Sequence, residues 1–345
     1  MNPLKSISMT RRLVLGAAAG AATMVGLMSG AVAADKITIG ALRFTSHSPS
    51  FIAVEKGYFK EEGLDVELKF FQAAQPIAVA IASGDIDFGV TALSGGFYSL
   101  ADKGALKVIG GLMSEKKGAP GNTIIVSNKA YDEGVKTPAD LKGRSWAMTQ
   151  QGSSFHYMAG IISEANGFTT KDMQLKPLQK VGAMIGALKS GQVDGMAIVP
   201  HIASALARGG AVKVIGKIQD MSDYQVTTIF TSTKNTTDRK DVVQRFLKAY
   251  SKGIADYHAV MQNQDKDPAA TEAMVDLIHK YVYTSRPREK AAPSIKAGAV
   301  YLNEGAALNV KDVERQLKWF QDNKLAPKSL TIDKMVDASF VKTIN

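Results

Sequence analysis

The 345-residue chain contains no cysteine. This excludes disulfides, thiolate metal sites, cysteine nucleophiles and a lipid-modified cysteine anchor together. It also lacks a dense Lys/Arg run interleaved with aromatics, so nucleic acid is not an expected partner. Long repeat arrays and biased segments are missing too, which argues against a structural or adhesive protein. Acidic residues are in deficit, with 32 Asp and Glu against 42 Lys and Arg. Three of the basic residues and none of the acidic ones fall in residues 1–33, leaving 39 against 32 in the rest. That surplus is spread along the chain. It favours anionic ligands without marking a site.

No stretch reaches the ~20 strongly apolar residues that a membrane span needs. The nearest is Leu13–Leu27, uncharged and rich in Ala and Gly, behind Lys5, Arg11 and Arg12 and ahead of Ala31-Val32-Ala33. A positive start, an apolar centre and small residues at both positions read by a signal peptidase make residues 1–33 a signal peptide, cut before Ala34 or Asp35. Thr10-Arg11-Arg12-Leu13-Val14-Leu15 resembles a twin-arginine signal, although adjacent arginines also occur in ordinary Sec signals. Without a lipid anchor, the exported protein is expected free in a periplasm, as a monomer.

From Lys36 onward the pattern is strand, turn, helix, repeated. Ile37, Ile39 and Ala41 alternate as one strand face, and Ser48-Pro49-Ser50 then offers a helix start with Pro in its first turn. Val66–Phe70, Ile86–Val90 and Leu106–Leu112 read as further strands, with a short helix over Pro76–Ala82 and another opened by Ser94-Gly95-Gly96. The order returns about a hundred residues later. Ser83-Gly84-Asp85-Ile86-Asp87 matches Ser190-Gly191-Gln192-Val193-Asp194, and Ser50-Phe51 matches Ser154-Phe155. In the second copy Val181, Met184, Ile185 and Leu188 fall on one helical face. Two similar α/β units imply a duplicated domain.

Past Thr227–Phe230 the rhythm turns helical, with an apolar stripe of Val242, Val243, Phe246, Leu247, Tyr250 and Ile254, and with Trp319 and Phe320 as core anchors. Because this tail shows no third α/β copy, it is expected to pack across the first domain. The predicted organisation is a first domain of 35–122 with 226–345 and a second of 123–225, the chain crossing near Asn122–Ser127 and Val226–Thr233.

In open α/β sheets, ligands sit beyond the carboxyl ends of the strands, where helix N-termini converge. Four turns qualify: Phe44–Ser50, Thr91–Gly96, Gln150–His156 and Val199–His201. In the third, the Gly, Ser and Ser of Gln150-Gln151-Gly152-Ser153-Ser154-Phe155-His156 leave the first helical N–H groups pointing outward, a ready anion site. The plainer role for Ser153 or Ser154 is an N-cap, worth ~1 kcal/mol. Three of the five histidines, His47, His156 and His201, fall in these turns, where a neutral ring can donate a hydrogen bond. No carboxylate stands at ligand spacing from them, so neither a metal nor any other cofactor is expected. Arg43 and Phe44, just past the first strand, can supply a charge and a stacking face or merely pack the strand end. The predicted ligand residues are Arg43, Phe44, Thr45, Ser46, His47, Ser50, Thr91, Ser94, Gly95, Gln151, Gly152, Ser153, Ser154, His156, Pro200 and His201.

Three stretches carry a family likeness: Ala53–Leu64 (Ala-Val-Glu-Lys-Gly-Tyr-Phe-Lys-Glu-Glu-Gly-Leu), Ala82–Val90, and Gly152-Ser153-Ser154-Phe155-His156. With them the chain resembles periplasmic substrate-binding proteins of ABC importers, from the taurine, nitrate and aliphatic-sulfonate branch and the related thiamine-precursor binders. The resemblance implies an α/β fold of the type II periplasmic-binding-protein kind, a clamshell of two α/β domains joined by two crossover strands, with extra C-terminal helices. It implies a ligand in the interdomain cleft and an inner-membrane ABC permease as partner. In the sulfonate and taurine binders a Gly-Ser-Ser/Thr-x-His turn meets the anionic head, and Gly152, Ser153, Ser154 and His156 match it. Where those relatives commonly carry Asp-Pro-aromatic, this chain has Val199-Pro200-His201.

The expected function is therefore capture, without catalysis, of a small organic anion: a sulfonate or a carboxylate, aromatic ones included. A thiamine-precursor-like heterocycle is the alternative. An enzyme is the third reading, since one branch of the superfamily makes pyrimidine with cysteine-rich chemistry, which this chain lacks. A serine hydrolase built on Ser154 and His156 would need side chains that diverge at a helix start to face each other, and no G-x-S-x-G elbow is present.

Overall fold

The computed structural model describes residues 34–344; the signal segment falls on residues 1–33, outside them. In chain order, β1 (Asp35–Ala41) leads to α1 (Ser48–Glu55) and the single turn α2 (Tyr58–Glu61). Next come β2 (Leu64–Phe70), α3 (Ala74–Ala82), β3 (Phe88–Thr91), α4 (Gly95–Asp102) and β4 (Leu106–Gly111). After the two-residue β5 (Ser114–Glu115) the pattern restarts with β6 (Thr123–Ser127) and α5 (Asn128–Asp132). It continues through β7 (Ser145–Met148), α6 (Ser154–Ala165), β8 (Gln174–Pro177), α7 (Val181–Lys189), β9 (Gly195–Ile198), α8 (Pro200–Arg208) and β10 (Val212–Lys217). Then β11 (Tyr224–Gln225) and β12 (Thr228–Ser232) precede helices α9 (Thr233–Asp238), α10 (Lys240–Met261), α11 (Pro268–His279), α12 (Arg288–Ala297) and α13 (Val310–Asp322).

The strands form two five-stranded sheets, β2-β1-β3-β12-β4 and β10-β6-β9-β7-β8. Read from β8, the second has the same plan as the first. Three parallel strands are followed by one antiparallel strand, β12 in the first sheet and β6 in the second. Each antiparallel strand enters its sheet directly after the chain has left the other one, through residues 112–122 and 218–227. Within these crossings β5 and β11 pair with each other.

The repeated Ser-Gly-x-Ile/Val-Asp motif has the same job in both sheets. Its final aspartate accepts a backbone N–H of a neighbouring strand: Asp87 Oδ2 takes the Thr38 N–H in the middle of β1 at 2.9 Å, and Asp194 Oδ2 takes the Ser145 N–H at the start of β7 at 2.8 Å. A carboxylate there fastens the loop before the central strand to the strand beside it by a charge-assisted hydrogen bond. The central strands β3 and β9 are buried throughout, which is why they read as unbroken apolar runs, whereas the edge strand β2 alternates. The stripe on α10 lies against the first sheet, with Phe246 stacked on Phe88 at 3.9 Å between ring centroids. Trp319 and Phe320 of α13 are buried as expected.

Candidate functional site

The strand ends of both sheets converge on one narrow cleft, with ≈ 630 Å³ of empty space counting its mouth. From the first sheet come Phe44, Ser46 and His47 after β1, Ala73–Gln75 after β2, and Thr91 and Ser94 after β3. The second sheet supplies Thr149, Gln150, Ser153 and Ser154 after β7, Val181 after β8, and Ile198 and Val199 at the end of β9. Asn122, Met113, Val226 and Thr227 of the crossing segments close the back. None of the lining residues is Asp, Glu, Lys or Arg.

The turn before α6 is built for polar contact. Ser153 is its N-cap, extended at φ −84° and ψ 166°, and its side chain accepts the His156 N–H at 3.4 Å. With the cap taken by Ser153, Ser154 is the first helical residue; it is half-buried, faces the cleft and has no hydrogen bond from its side chain to the protein. Gly152 has φ +71°, in the left-handed region. A Cβ there would also lie 3.3 Å from Gly95 N. That closeness serves a bond across the cleft, since the Gly95 N–H donates to the Gly152 carbonyl at 2.8 Å. Beside it the Gln150 side-chain amide donates to Gln75 Oε1. Both bonds join a residue following a first-sheet strand to one following a second-sheet strand, so the cleft is closed.

His47 is the titratable group in the cleft wall. Its Nδ1 accepts the Leu42 N–H at 3.2 Å, which assigns the proton of the neutral ring to Nε2. Burial lowers its pKa to about 3, so the imidazole offers a donor and no charge. The cleft thus combines the N-terminus of α6, a second one at α4 capped by Ser94, serine and threonine hydroxyls, and an apolar remainder that includes Phe44, Phe155 and Met158.

A family model described as NMT1/THI5 like matches residues 44–265, more than half of the chain. The chain belongs to the NMT1/THI5-like family. No protein of the curated set matches it in sequence. Among solved structures it is similar to the alkanesulfonate-binding protein SsuA from Xanthomonas axonopodis pv. citri bound to MOPS. There the TM-score is 0.70 and the identity 18%, over 88% of this chain and 98% of that one. The periplasmic aliphatic sulphonate binding protein SsuA from Escherichia coli matches at TM-score 0.68 and 20% identity, over 90% and 94% of the two chains. The periplasmic nitrate-binding protein NrtA from Synechocystis PCC 6803 matches at 0.70 and 15%, over 88% and 86%. The NMT1/THI5-like chain therefore has the periplasmic-binding-protein fold.

Of the residues singled out in sequence, Phe44, Ser46, His47, Thr91, Ser94, Ser153 and Ser154 line the cleft of this NMT1/THI5-like protein. Gly95 and Gly152 frame it through their backbone bond. The others stand elsewhere. Arg43 is exposed, lies over the Phe70 ring at 3.9 Å and donates to the Tyr281 carbonyl, so strand-end packing is its role. Thr45 donates to the Gly298 carbonyl at 2.9 Å behind the wall, and Ser50 bonds the Tyr250 hydroxyl. Gln151 is exposed, and Pro200 lines a different surface groove. His156 takes the Gly152 N–H on Nδ1 at 3.2 Å and meets Trp319 edge-on at 5.4 Å, with its pKa lowered to about 4 by burial. His201 bonds Tyr283 through Nδ1 and meets Phe44 edge-on at 5.6 Å. Its pKa is lowered to about 3, chiefly by burial.

Sequence reasoning named the turn that Gln150 opens without picking out Gln150 itself, and it missed Gln75, Asn122, Thr149 and Val181. Applying the strand-end rule to β2 and β8 would have found Gln75 and Val181. Among the described residues no group of three or more His, Asp or Glu side chains able to hold an ion occurs. Nor is any described helix long and apolar enough to cross a membrane.

Proposed function

We propose that this protein is an exported solute-binding protein that captures a small organic anion in the cleft and delivers it to an ABC permease. The carrying observation is the wall itself: no ionised side chain lines it, while α6 presents an uncapped hydroxyl at its N-terminus, Ser154, to the enclosed space. Backbone N–H groups and hydroxyls at a helix start hold a single negative charge without a counter-cation. The apolar remainder suits an apolar body. No carboxylate is available for an ammonium group, so a zwitterion such as taurine should bind poorly. The sulfonate and nitrate binding named for the structural relatives agrees with an anionic ligand. On this reading the two sheets belong to two lobes, 35–122 with 226–345 and 123–225, which close over the ligand as a monomer and return it by opening.

Catalysis is not needed to account for the site. His156 is turned towards Trp319 with its Nδ1 occupied, so it is not placed as a base for Ser154. A thiamine-precursor-like heterocycle is the second reading, favoured by Phe44 and Phe155 in the wall, but four serines stand beside those two phenylalanines. Calorimetric titration of the mature protein with butanesulfonate, taurine, benzoate, nitrate and an aminopyrimidine tests the assignment. Butanesulfonate or benzoate should bind at least tenfold more tightly than taurine. Preference for the aminopyrimidine would replace the anion reading.

A further inference from the structure

The crossing segments hold a carboxyl group that the cleft does not use directly. Glu115 lies in β5, paired with Tyr224 of β11, and is 3% exposed. Its Oε1 accepts both donors of Asn122, the backbone N–H at 2.9 Å and the side-chain amide at 2.7 Å. Asn122 lines the cleft immediately before β6. Glu115 therefore fixes how Asn122 meets a ligand: the backbone N–H and one side-chain N–H are engaged from behind, which leaves the second amide N–H as a donor.

The other oxygen, Oε2, is buried and has no partner, and the same is true of Oε1 of Gln219. The two converge on one spot. Both occupy the space that a Cβ on Gly121 would fill, so two buried acceptors face each other over that glycine. Two acceptors repel unless one carries a proton. A protonated Oε2 donates to Gln219 and satisfies both atoms at once, whereas an ionised carboxylate would be a buried, unpaired charge. The ionisable neighbours do not offer a cation to replace the proton. Asp220 adds a negative charge and the Tyr224 phenol is buried beside it. Lys117, Lys217 and Arg208 line the surface groove outside, shared with Gln219 and Asp220, and Lys117 and Lys217 are exposed. Burial, and to a lesser degree Asp220, outweighs the two Asn122 bonds and raises the pKa of Glu115 to about 7.

We propose that Glu115 is a neutral acid in the closed cleft, a positioning residue that sets Asn122 against the ligand and releases its proton when the sheets move apart. This rests on the reading of the protein as a closing solute binder. Its site is the crossing itself: Glu115 and Asn122 belong to one crossing segment and Gln219 to the other. Separation of the sheets lets water reach the carboxyl and lowers its pKa part of the way to the unfolded value. Closure then takes up a proton. Affinity is highest in mild acid and falls as pH rises to about 7, by about tenfold for each unit that closure adds to the pKa, and is flat above that.

The test compares wild type with Glu115→Gln, whose amide can accept from Asn122 and donate to Gln219 as the neutral acid does. Butanesulfonate affinity is measured by calorimetry from pH 5 to 8.5. Wild type should weaken about tenfold relative to Glu115→Gln between pH 5.5 and 7.5. A wild-type profile that runs parallel to the variant overturns the proposal. Taking the difference removes the opposing contribution of His47, His156 and His201, which both proteins share. The same pair is melted in urea without ligand. A carboxyl raised only in the folded state is at no disadvantage below its unfolded value and loses stability as pH rises towards 7, so wild type should fall progressively behind the variant. If butanesulfonate binds neither protein, the cargo assignment fails and the melts decide: a widening gap supports a neutral Glu115, and parallel curves overturn it.

Discussion

His47 and His156 stand at the entrances of corresponding helices and do the same local work. Each uses Nδ1 to accept a backbone N–H of its own turn at 3.2 Å, from Leu42 in one case and Gly152 in the other. Each is buried and neutral. Their other faces differ: His47 is part of the cleft wall, while His156 abuts Trp319. The repeated fold thus reuses one device for shaping a turn, but only the first copy turns the ring towards the cleft. In the second copy that place is left to hydroxyls. A histidine in a predicted binding turn is therefore weak evidence of contact until its backbone partner and its far side are known.

The largest effect should come from removing the backing of the second turn. Trp319 lies edge-on to His156 and Tyr157 and covers Gly160 so closely that a Cβ there would sit 2.5 Å from the indole. Trp319→Ala should cost about 3 kcal/mol of stability by leaving a cavity, read from urea melts. Its ligand affinity should also drop, because the α6 turn loses its support. The first turn leans instead on Tyr281, stacked on Phe51 at 4.6 Å, and Trp319→Ala should leave it intact. Unchanged stability would mean that α13 does not hold the turn.

Acid sharpens the comparison. The three histidines of the predicted turns all have folded pKa values below the unfolded 6.5, at about 3 for His47 and His201 and about 4 for His156. The unfolded chain therefore binds more protons below pH 6.5, and stability falls as pH drops from there towards 4. His47→Gln should flatten that fall by about 1–3 kcal/mol between pH 6.5 and 4. The flattening should be smaller in His156→Gln, whose wild-type ring is less buried. Equal slopes in both variants and wild type would contradict the assignment of both rings as buried and neutral.

Much of this was legible in the sequence, and the parts that were not share a cause. The repeat was readable because Asp87 and Asp194 perform the same task, accepting a backbone N–H of a neighbouring strand, that needs the same short motif twice. The cap at Ser153 was readable because an N-cap is decided within four residues. Ring orientation was not, since His156 answers to Trp319, 163 positions away, and His201 to Tyr283, 82 positions away. Arg43 misled for the same reason: its charge is drawn outward by the Tyr281 carbonyl and the Phe70 ring. Gln75 escaped notice because α3 begins at Ala74, two residues before the Pro76 that looked like its start. Asn122 was taken as part of a crossing strand, while β6 begins one residue later.

The smallest expected effect is at Arg43. Arg43→Ala removes a charge beside the first turn but outside the wall, so affinity should change less than about twofold and stability by less than about 1 kcal/mol. A tenfold loss of affinity would bring that charge into the recognition of the anion.

The most direct test lies in two adjacent serines of the α6 turn. Ser153 caps the helix, while Ser154 leaves its hydroxyl free towards the cleft. Calorimetric titration of Ser153→Ala and Ser154→Ala with butanesulfonate, beside their melting curves, separates the roles. Ser154→Ala removes one hydrogen bond to a charged group, about 1.5–3 kcal/mol, so affinity should fall roughly ten- to a hundredfold with little change in stability. Ser153→Ala should lower stability by about 0.5–2 kcal/mol through loss of the cap. Wild-type affinity in Ser154→Ala, with stability unchanged, would contradict the account, because the anion would then be held somewhere other than the start of α6.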